Sequence, residues 1–168
     1  INDVLTHKPE SFECFDDVTL GLSFKFFFSF RKRLGFKGLA ELGWRLIPDA
    51  LMLLRGVPKL ILLIEFTGET PEEVTQKVHA MKQALKPYKM AMEEDDTEAK
   101  SKKFWIMRRE SFSLLRSKVK DKHTAPFMDD LVVPPKNLPE FLPKIREVMK
   151  KDKLFATIAG HMGDGNFH

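Results

Sequence analysis

The C-terminal end of the chain constrains the fold more than any other stretch. The apolar residues 154–159 lead directly into residues 160–168, which read GHMGDGNFH and contain three glycines. An apolar run with β-branched and aromatic members, followed by such a segment, predicts a buried strand that enters a tight loop. Glycines let the backbone take positive φ angles and let a bulky partner approach closely. The fold must therefore place His161 and His168 at the two ends of one turn.

The two histidines that bracket this loop have two interpretations. Histidine titrates near neutral pH and is the commonest metal ligand in proteins, so a pair held by a glycine-rich turn suits metal binding or proton transfer. Alternatively, the pair is structural and caps the turn. Asp164, inside the loop, is a residue type that ties turns together through hydrogen bonds to the nearby backbone. Residue chemistry alone leaves both interpretations open.

Length, charge and cysteine content limit the class of protein. A chain of 168 residues suits one domain with a sizeable core, and 31% charged with 43% hydrophobic residues is typical of soluble globular proteins. Because 24 acidic residues are interspersed among 28 lysines and arginines, nucleic acid is not implied as a partner. Cys14 is the one cysteine, so the sequence excludes an intramolecular disulfide and a cysteine-based zinc site. A reducing, cytoplasmic location fits these properties.

Hydrophobic periodicity predicts alternating strands and helices. The clearest strand, residues 59–66, is almost continuously apolar, which predicts a central strand covered on both faces. The other predicted elements are a short strand at Phe12–Cys14, a helix from a Thr70–Glu73 capping box to Pro87, a helix at 104–115, a short strand within 125–134 that its prolines place at an edge or limit in length, and a helix capped by Asn137 that carries Phe141, Ile145, Val148 and Met149.

Residues 24–58 form a phenylalanine-rich insert with the basic cluster Arg31, Lys32 and Arg33. One interpretation is a helical subdomain whose apolar face packs on the sheet. The alternative is a membrane-docking or protein-interaction module, since aromatic residues beside basic ones suit an anionic lipid surface. The insert is not expected to span a membrane, because it lacks a run of about 18 uncharged apolar residues.

The helix at 104–115 carries an arginine on an apolar face. Trp105, Arg108, Phe112 and Leu115 are spaced three or four residues apart and therefore share one side. An arginine there is costly unless it is paired, so Arg108 is a candidate to bind a carboxylate through its planar guanidinium. The alternative is an internal ion pair.

Three motifs together resemble a known family. The pattern His161-x-Gly163-Asp164-Gly165-Asn166-x-His168 resembles the signature of FAD-linked oxidases of the vanillyl-alcohol-oxidase type. The similarity is to the C-terminal substrate or cap domain of D-lactate dehydrogenases, glycolate oxidase subunits and D-2-hydroxyglutarate dehydrogenases. Trp105-x-x-Arg108 and Asp130-x-x-x-Pro134 also match that family. Met128 stands where some hydroxyglutarate-type members have a lysine, which argues against assuming a dicarboxylate substrate.

The resemblance implies a fold and an activity. The implied fold is α+β, with a ferredoxin-like antiparallel sheet, covering helices and the insert, in one substrate domain over residues 1–168 that covers a separate FAD domain absent from the chain. The implied activity is oxidation of a D-2-hydroxy acid by hydride transfer to FAD. The implied partners are that acid, the FAD-binding domain and an electron acceptor; peripheral contact with the inner face of the membrane and a homodimer are left open.

The resemblance also implies site residues. His161 and His168 would ligate a divalent cation such as Zn²⁺ or Mn²⁺, with a third ligand, commonly a glutamate, beyond the end of the chain. Arg108 would orient the substrate carboxylate, and Asn166 is a candidate donor to the flavin or the substrate. None of the residues is assigned as a catalytic acid or base. The isolated chain is expected to show no turnover and weak or no metal affinity.

Overall fold

The computed structural model describes residues 1–25, 58–94, 105, 130–154 and 156–168. Most of the predicted insert and the positions of Arg108 and Met128 lie outside the described residues, so both interpretations of the insert stay predictions. In chain order the elements are α1 (Asn2–Thr6), β1 (Ser11–Asp16), α2 (Asp17–Lys25), β2 (Leu60–Glu65), α3 (Pro71–Leu85), a 3₁₀ turn (Lys86–Tyr88), β3 (Leu131–Val132), a 3₁₀ turn (Pro135–Asn137), α4 (Leu138–Lys151), β4 (Ala159–His161) and β5 (Asn166–Phe167).

The strands form one five-stranded sheet in the order β2-β1-β4-β5-β3. β5 pairs antiparallel with both β4 and β3. The predicted α+β fold, with an antiparallel sheet and helices, is confirmed. β3 lies at one end of the order, as its flanking prolines predict. β2 lies at the other end, so its predicted central position is wrong for the described sheet; its apolar run instead reflects six residues that are all half-buried.

The chain forms two compact units. The first comprises Ile1–Cys14, Leu62–Glu94 and Met128–His168, and the second comprises Phe15–Ile61 and Asp95–Phe127. In the first unit α1 packs on α3, and the Tyr88 hydroxyl donates a hydrogen bond to Asp3. The buried apolar side chains of this unit are Val4, Phe12, Cys14, Met81, Leu85, Leu138, Ile158, Met162 and Phe167.

In the second unit, the described residues centre on the start of α2. The buried Asp16 carboxylate accepts a hydrogen bond from the Thr19 backbone N–H at 2.9 Å, and Lys59 pairs with Asp17 at 2.7 Å. A side-chain oxygen that accepts from an N–H in the first turn is a helix cap. Asp16 is therefore a buried helix cap. From the sequence, the adjacent pair Asp16 and Asp17 predicts charges that are exposed to solvent.

Helix α3 begins and ends as its sequence predicts. The Thr70 hydroxyl accepts the Glu73 N–H at 3.2 Å, and the Glu73 carboxylate accepts the N–H of Glu69 at 2.9 Å rather than that of Thr70. Pro71 occupies the first helical position, where its missing N–H costs nothing. Met81 and Leu85 are buried on one face, and the helix ends two residues before Pro87.

The strand that leads into the histidine loop begins later than predicted. Lys153 has a positive φ of 53°, and its N–H and that of Leu154 donate to the carbonyls of Lys150 and Met149 at 3.2 and 2.8 Å. These bonds form a Schellman motif, which satisfies the last carbonyls of α4. Leu154 therefore belongs to the helix end, and β4 starts at Ala159.

Two details of α4 differ from the sequence prediction. The predicted cap residue, Asn137, makes no hydrogen bond through its side chain. Val148, one of the apolar residues that predicted the helix, is 54% exposed.

Among the helices of the described residues, none is both long enough and apolar enough to cross a bilayer.

Candidate metal and substrate site

The register of the β4–β5 hairpin brings both histidines to one face of the sheet. His161 lies opposite Asn166, and Gly160 lies opposite Phe167. The ladder extends one step further, because Ala159 and His168 exchange backbone hydrogen bonds of 3.2 and 2.7 Å. Directly opposed residues and residues two apart in a strand point to the same face. His161, Asn166 and His168 therefore share one face, and the two imidazole centroids are 5.7 Å apart with the rings at 82°.

The turn between the strands depends on backbone contacts. The N–H groups of Asp164 and Gly165 donate to the carbonyls of His161 and Met162 at 3.1 and 3.4 Å. Gly165 has φ +69°, and a Cβ built there would lie 1.8 Å from the Val133 carbonyl oxygen. The Gly163 N–H donates to the Phe12 carbonyl at 3.0 Å. The turn is thus anchored to the chain after β3 on one side and to β1 on the other.

A buried carboxylate from β1 contacts the first histidine. Glu13 Oε1 lies 2.5 Å from Nδ1 of His161, and the Glu13 side chain is 8% exposed whereas that of His161 is 44% exposed. The Gly163–Phe12 hydrogen bond holds the turn against β1 at the residue before Glu13. A charged group inside a protein requires a hydrogen-bonding partner, and the imidazole provides one.

A second carboxylate contacts the other histidine in the same way. Asp130 Oδ1 lies 2.7 Å from Nδ1 of His168, with side-chain exposures of 59% for Asp130 and 48% for His168. Asp130 directly precedes β3, which pairs with β5 through Leu131 and Phe167. The sheet therefore supplies one carboxylate to each imidazole from the strands on either side of the hairpin.

Metal-ligating histidines of proteins commonly have such a carboxylate contact. A ligating imidazole usually binds a carboxylate, carbonyl or water through one ring nitrogen and the metal through the other. Here both Nδ1 atoms contact carboxylates, so Nε2 of either ring would be the atom to ligate a metal. The two imidazoles fit Zn²⁺, whereas Mn²⁺ favours oxygen donors.

Asn166 lies between the histidines on the same face. Within the part of the chain that the structure describes, its Oδ1 atom is buried and has no hydrogen-bond partner. A buried polar atom of this kind is costly unless a ligand or water completes it. The role of Asn166 as a hydrogen-bond donor to flavin or substrate stays a prediction. Its Oδ1 atom can accept a hydrogen bond or act as a metal ligand. The described residues contain no group of three or more His, Cys, Asp and Glu side chains able to hold a metal ion.

A cavity of about 360 Å³ adjoins Glu13 and His161. Its wall also includes Lys8, Ser11 and Asp164, so it combines charged and hydroxyl groups beside the imidazole. Its volume lies in the range of small-molecule sites. The described site therefore has room for a compact polar ligand next to His161.

Sequence reasoning missed the two carboxylates. Glu13 lies between Phe12 and Cys14, where alternation predicts a solvent-facing side chain, yet five consecutive residues of β1 are buried. Asp130 matched a family motif but had no predicted role. Both contacts depend on strand pairings between distant segments, which sequence periodicity does not reveal. Arg108, the predicted substrate ligand, lies outside the described residues.

Comparison with known proteins identifies the family. The family described as "FAD linked oxidases, C-terminal domain" matches residues 6–168. A D-2-hydroxyglutarate dehydrogenase from Pseudomonas putida is 27% identical over 172 residues, which cover 99% of this chain. The chain spans only 16% of the length of that relative. Since the family match extends over almost the whole sequence, the chain belongs to the FAD-linked oxidases, as their C-terminal domain.

Proposed function

We propose that this domain binds a D-2-hydroxy acid on the face that carries His161, Asn166 and His168 and presents it for oxidation by FAD. One observation carries the proposal: the hairpin brings two imidazoles to a centroid distance of 5.7 Å, with each Nδ1 bound to a carboxylate. A purely structural pair would not require both rings to present the same nitrogen. FAD is the cofactor implied by the family, and an FAD-binding domain of the full protein is the implied partner.

The residues of this chain bind and orient the substrate. Nε2 of His161 and of His168 would hold a divalent cation, with Oδ1 of Asn166 as a nearby oxygen donor. When bound, such a cation would polarise the substrate hydroxyl and favour loss of its proton to solvent, and FAD would supply the acceptor for the hydride from the carbon that bears the hydroxyl. Arg108, by its match to the family motif, would bind the substrate carboxylate through its two-pronged guanidinium.

The proposal also concerns which 2-hydroxy acids the domain binds. The relative from Pseudomonas putida is named for D-2-hydroxyglutarate. Met128, however, occupies the place of a lysine that some hydroxyglutarate-type members use for a second carboxylate. We therefore propose the class of lactate, glycolate and 2-hydroxyglutarate, and expect the distal carboxylate to contribute little to binding.

Histidine replacement in the full-length protein tests the proposal. His161→Ala and His168→Ala should each reduce D-2-hydroxy-acid-dependent reduction of an electron-accepting dye by at least about 100-fold, because even the outer partners of metal ligands are worth 10–100-fold. His79→Ala is the matched control, since His79 lies on the exposed face of α3 and contacts Gln83. Unchanged activity in both site variants, with FAD absorbance and folding retained, would contradict the proposal.

A further inference from the structure

Among the described residues of the site, Glu13 is the one acidic side chain that is almost completely buried. Its side chain is 8% exposed, compared with 59% for Asp130 at the other histidine. It lies on β1, 148 residues before His161 in sequence, and approaches Nδ1 of that ring at 2.5 Å. A carboxylate in this position is costly to bury, so its retention calls for a specific interaction with the imidazole.

The contact with Glu13 favours one of the two neutral tautomers of His161. An ionised carboxylate only accepts hydrogen bonds, whereas a neutral imidazole donates through one nitrogen and accepts through the other. An ionised Glu13 at Nδ1 therefore favours the tautomer with its proton on Nδ1. In that tautomer Nε2 carries the lone pair, and the His161 side chain is 44% exposed.

We propose that Glu13 is a positioning residue: it holds His161 in the Nδ1–H tautomer and so aims Nε2 at the bound cation. This inference rests on the proposed function for the cation, whereas the tautomer preference rests on the Glu13 contact. Glu13 acts through His161 and does not touch the substrate. Asp130 has the same relation to His168, but it is largely exposed, and water competes for its hydrogen bond. Replacing Glu13 should therefore disturb the orientation of its histidine more than replacing Asp130 does.

The test uses the full-length protein, freed of metal, with Glu13→Gln as the main variant and Asp130→Asn as the matched control. The first measurement is magic-angle-spinning ¹⁵N NMR of histidine-labelled protein, with the His161 signals assigned by their loss in His161→Gln. In the wild type, His161 should be protonated on Nδ1; in Glu13→Gln the amide can accept or donate, so the Nε2–H tautomer should appear. Asp130→Asn should leave the His161 tautomer unchanged.

The second measurement is Zn²⁺ affinity, by competition with a chromophoric chelator. Glu13→Gln should weaken binding about 10–100-fold and Asp130→Asn by less. Glu13→Asp, which keeps the charge, should recover part of the affinity. Absence of Zn²⁺ and Mn²⁺ binding in the wild type would refute the metal part of the proposed function while leaving the tautomer measurement decisive for Glu13.

Three results would overturn the inference. One is a wild-type His161 protonated on Nε2, which can be observed even if Glu13→Gln fails to fold. Another is a folded Glu13→Gln protein with unchanged tautomer and affinity. The third is a loss of affinity in Glu13→Gln as large as that in His161→Ala, which would make Glu13 a ligand rather than a positioning residue.

Discussion

The two histidines of the hairpin have similar contacts but different surroundings. The carboxylate on His161 is buried, and the one on His168 is 59% exposed. Exposed ion pairs contribute little because water and salt screen them, whereas a buried pair is rigid and is costly to break on one side. His161 is therefore the more firmly oriented ring, and the site should tolerate changes at Asp130 better than changes at Glu13.

The position of the turn that joins the histidines depends on Gly165. Gly165→Ala should destabilise the protein by more than about 1 kcal/mol, because alanine resists positive φ and its Cβ would approach the Val133 carbonyl oxygen to 1.8 Å. Gly21→Ala is the control: a Cβ there meets nothing within 4 Å, and alanine favours helix α2, so stability should be unchanged or should rise by about 0.5–1 kcal/mol. Chemical denaturation of both variants measures the difference. Equal stabilities would show that Gly165 is not required.

At this scale the sequence predicted the turn but not its supports. Two glycines between the histidines and a third just before them indicated a tight loop, and the structure shows a four-residue turn with the rings on one face. The role of these rings as metal ligands stays a prediction. Glu13 could not be predicted, because its partner is 148 residues away and its burial depends on the docking of the hairpin against β1.

At the scale of elements, local signals predicted helix α3 well and the terminal strand poorly. The Thr70 cap, Pro71 and the apolar spacing up to Leu85 all act within one segment, and the structure confirms them. The start of β4 depends on a Schellman motif that places Lys153, rather than a glycine, in the left-handed region. No residue type signals that motif here, so the apolar run from Leu154 was interpreted as strand.

The cap of α3 predicts opposite effects for one substitution at two positions. Thr70→Ala should destabilise the protein by about 1 kcal/mol, because the Glu73 N–H loses its side-chain acceptor. Thr75→Ala should be neutral or slightly stabilising, because Thr75 lies inside the same helix, is exposed, and bonds back to the Pro71 carbonyl. Urea denaturation of the two variants provides the comparison. A larger loss at Thr75 than at Thr70 would contradict the assigned cap.

The same helix start predicts a pH dependence. The hydrogen bond from Lys77, followed by that from the Glu69 N–H, lowers the pKa of Glu73 below its usual 4.5. A carboxylate with a lowered folded-state pKa stabilises the protein above its unfolded-state pKa, and this stabilisation is lost as pH falls through the folded-state pKa. Glu73→Gln should therefore lower Tm near neutral pH and match the wild type in strong acid. Glu72→Gln, which removes the same charge from the same turn, should lower Tm by less. Equal losses of Tm would mean that the helix dipole alone accounts for the stabilisation.

At the scale of the whole molecule, the question is how much of the site this chain supplies. Catalytic zinc sites commonly have three protein ligands, whereas in the proposed function His161 and His168 would be two nitrogen donors and Asn166 a weaker oxygen donor. The described residues contain no group of three or more His, Cys, Asp and Glu side chains that could hold a metal. The chain also spans 16% of the length of its relative, and its family is that of a C-terminal domain. Under the proposed function, we therefore expect tight binding of the cation and of FAD to need other parts of the full-length protein.

The 168-residue chain expressed alone should consequently show no D-2-hydroxy-acid-dependent dye reduction, even with FAD added, and should bind Zn²⁺ more weakly than the full-length protein. Hydride transfer needs the flavin beside the substrate carbon, and the described residues offer no third His, Cys, Asp or Glu side chain to hold the cation together with the two imidazoles. Stopped-flow absorbance of the dye and chelator competition measure the two properties, with circular dichroism to establish that the isolated chain is folded. Turnover by the isolated chain would mean that its own residues bind FAD and complete the site.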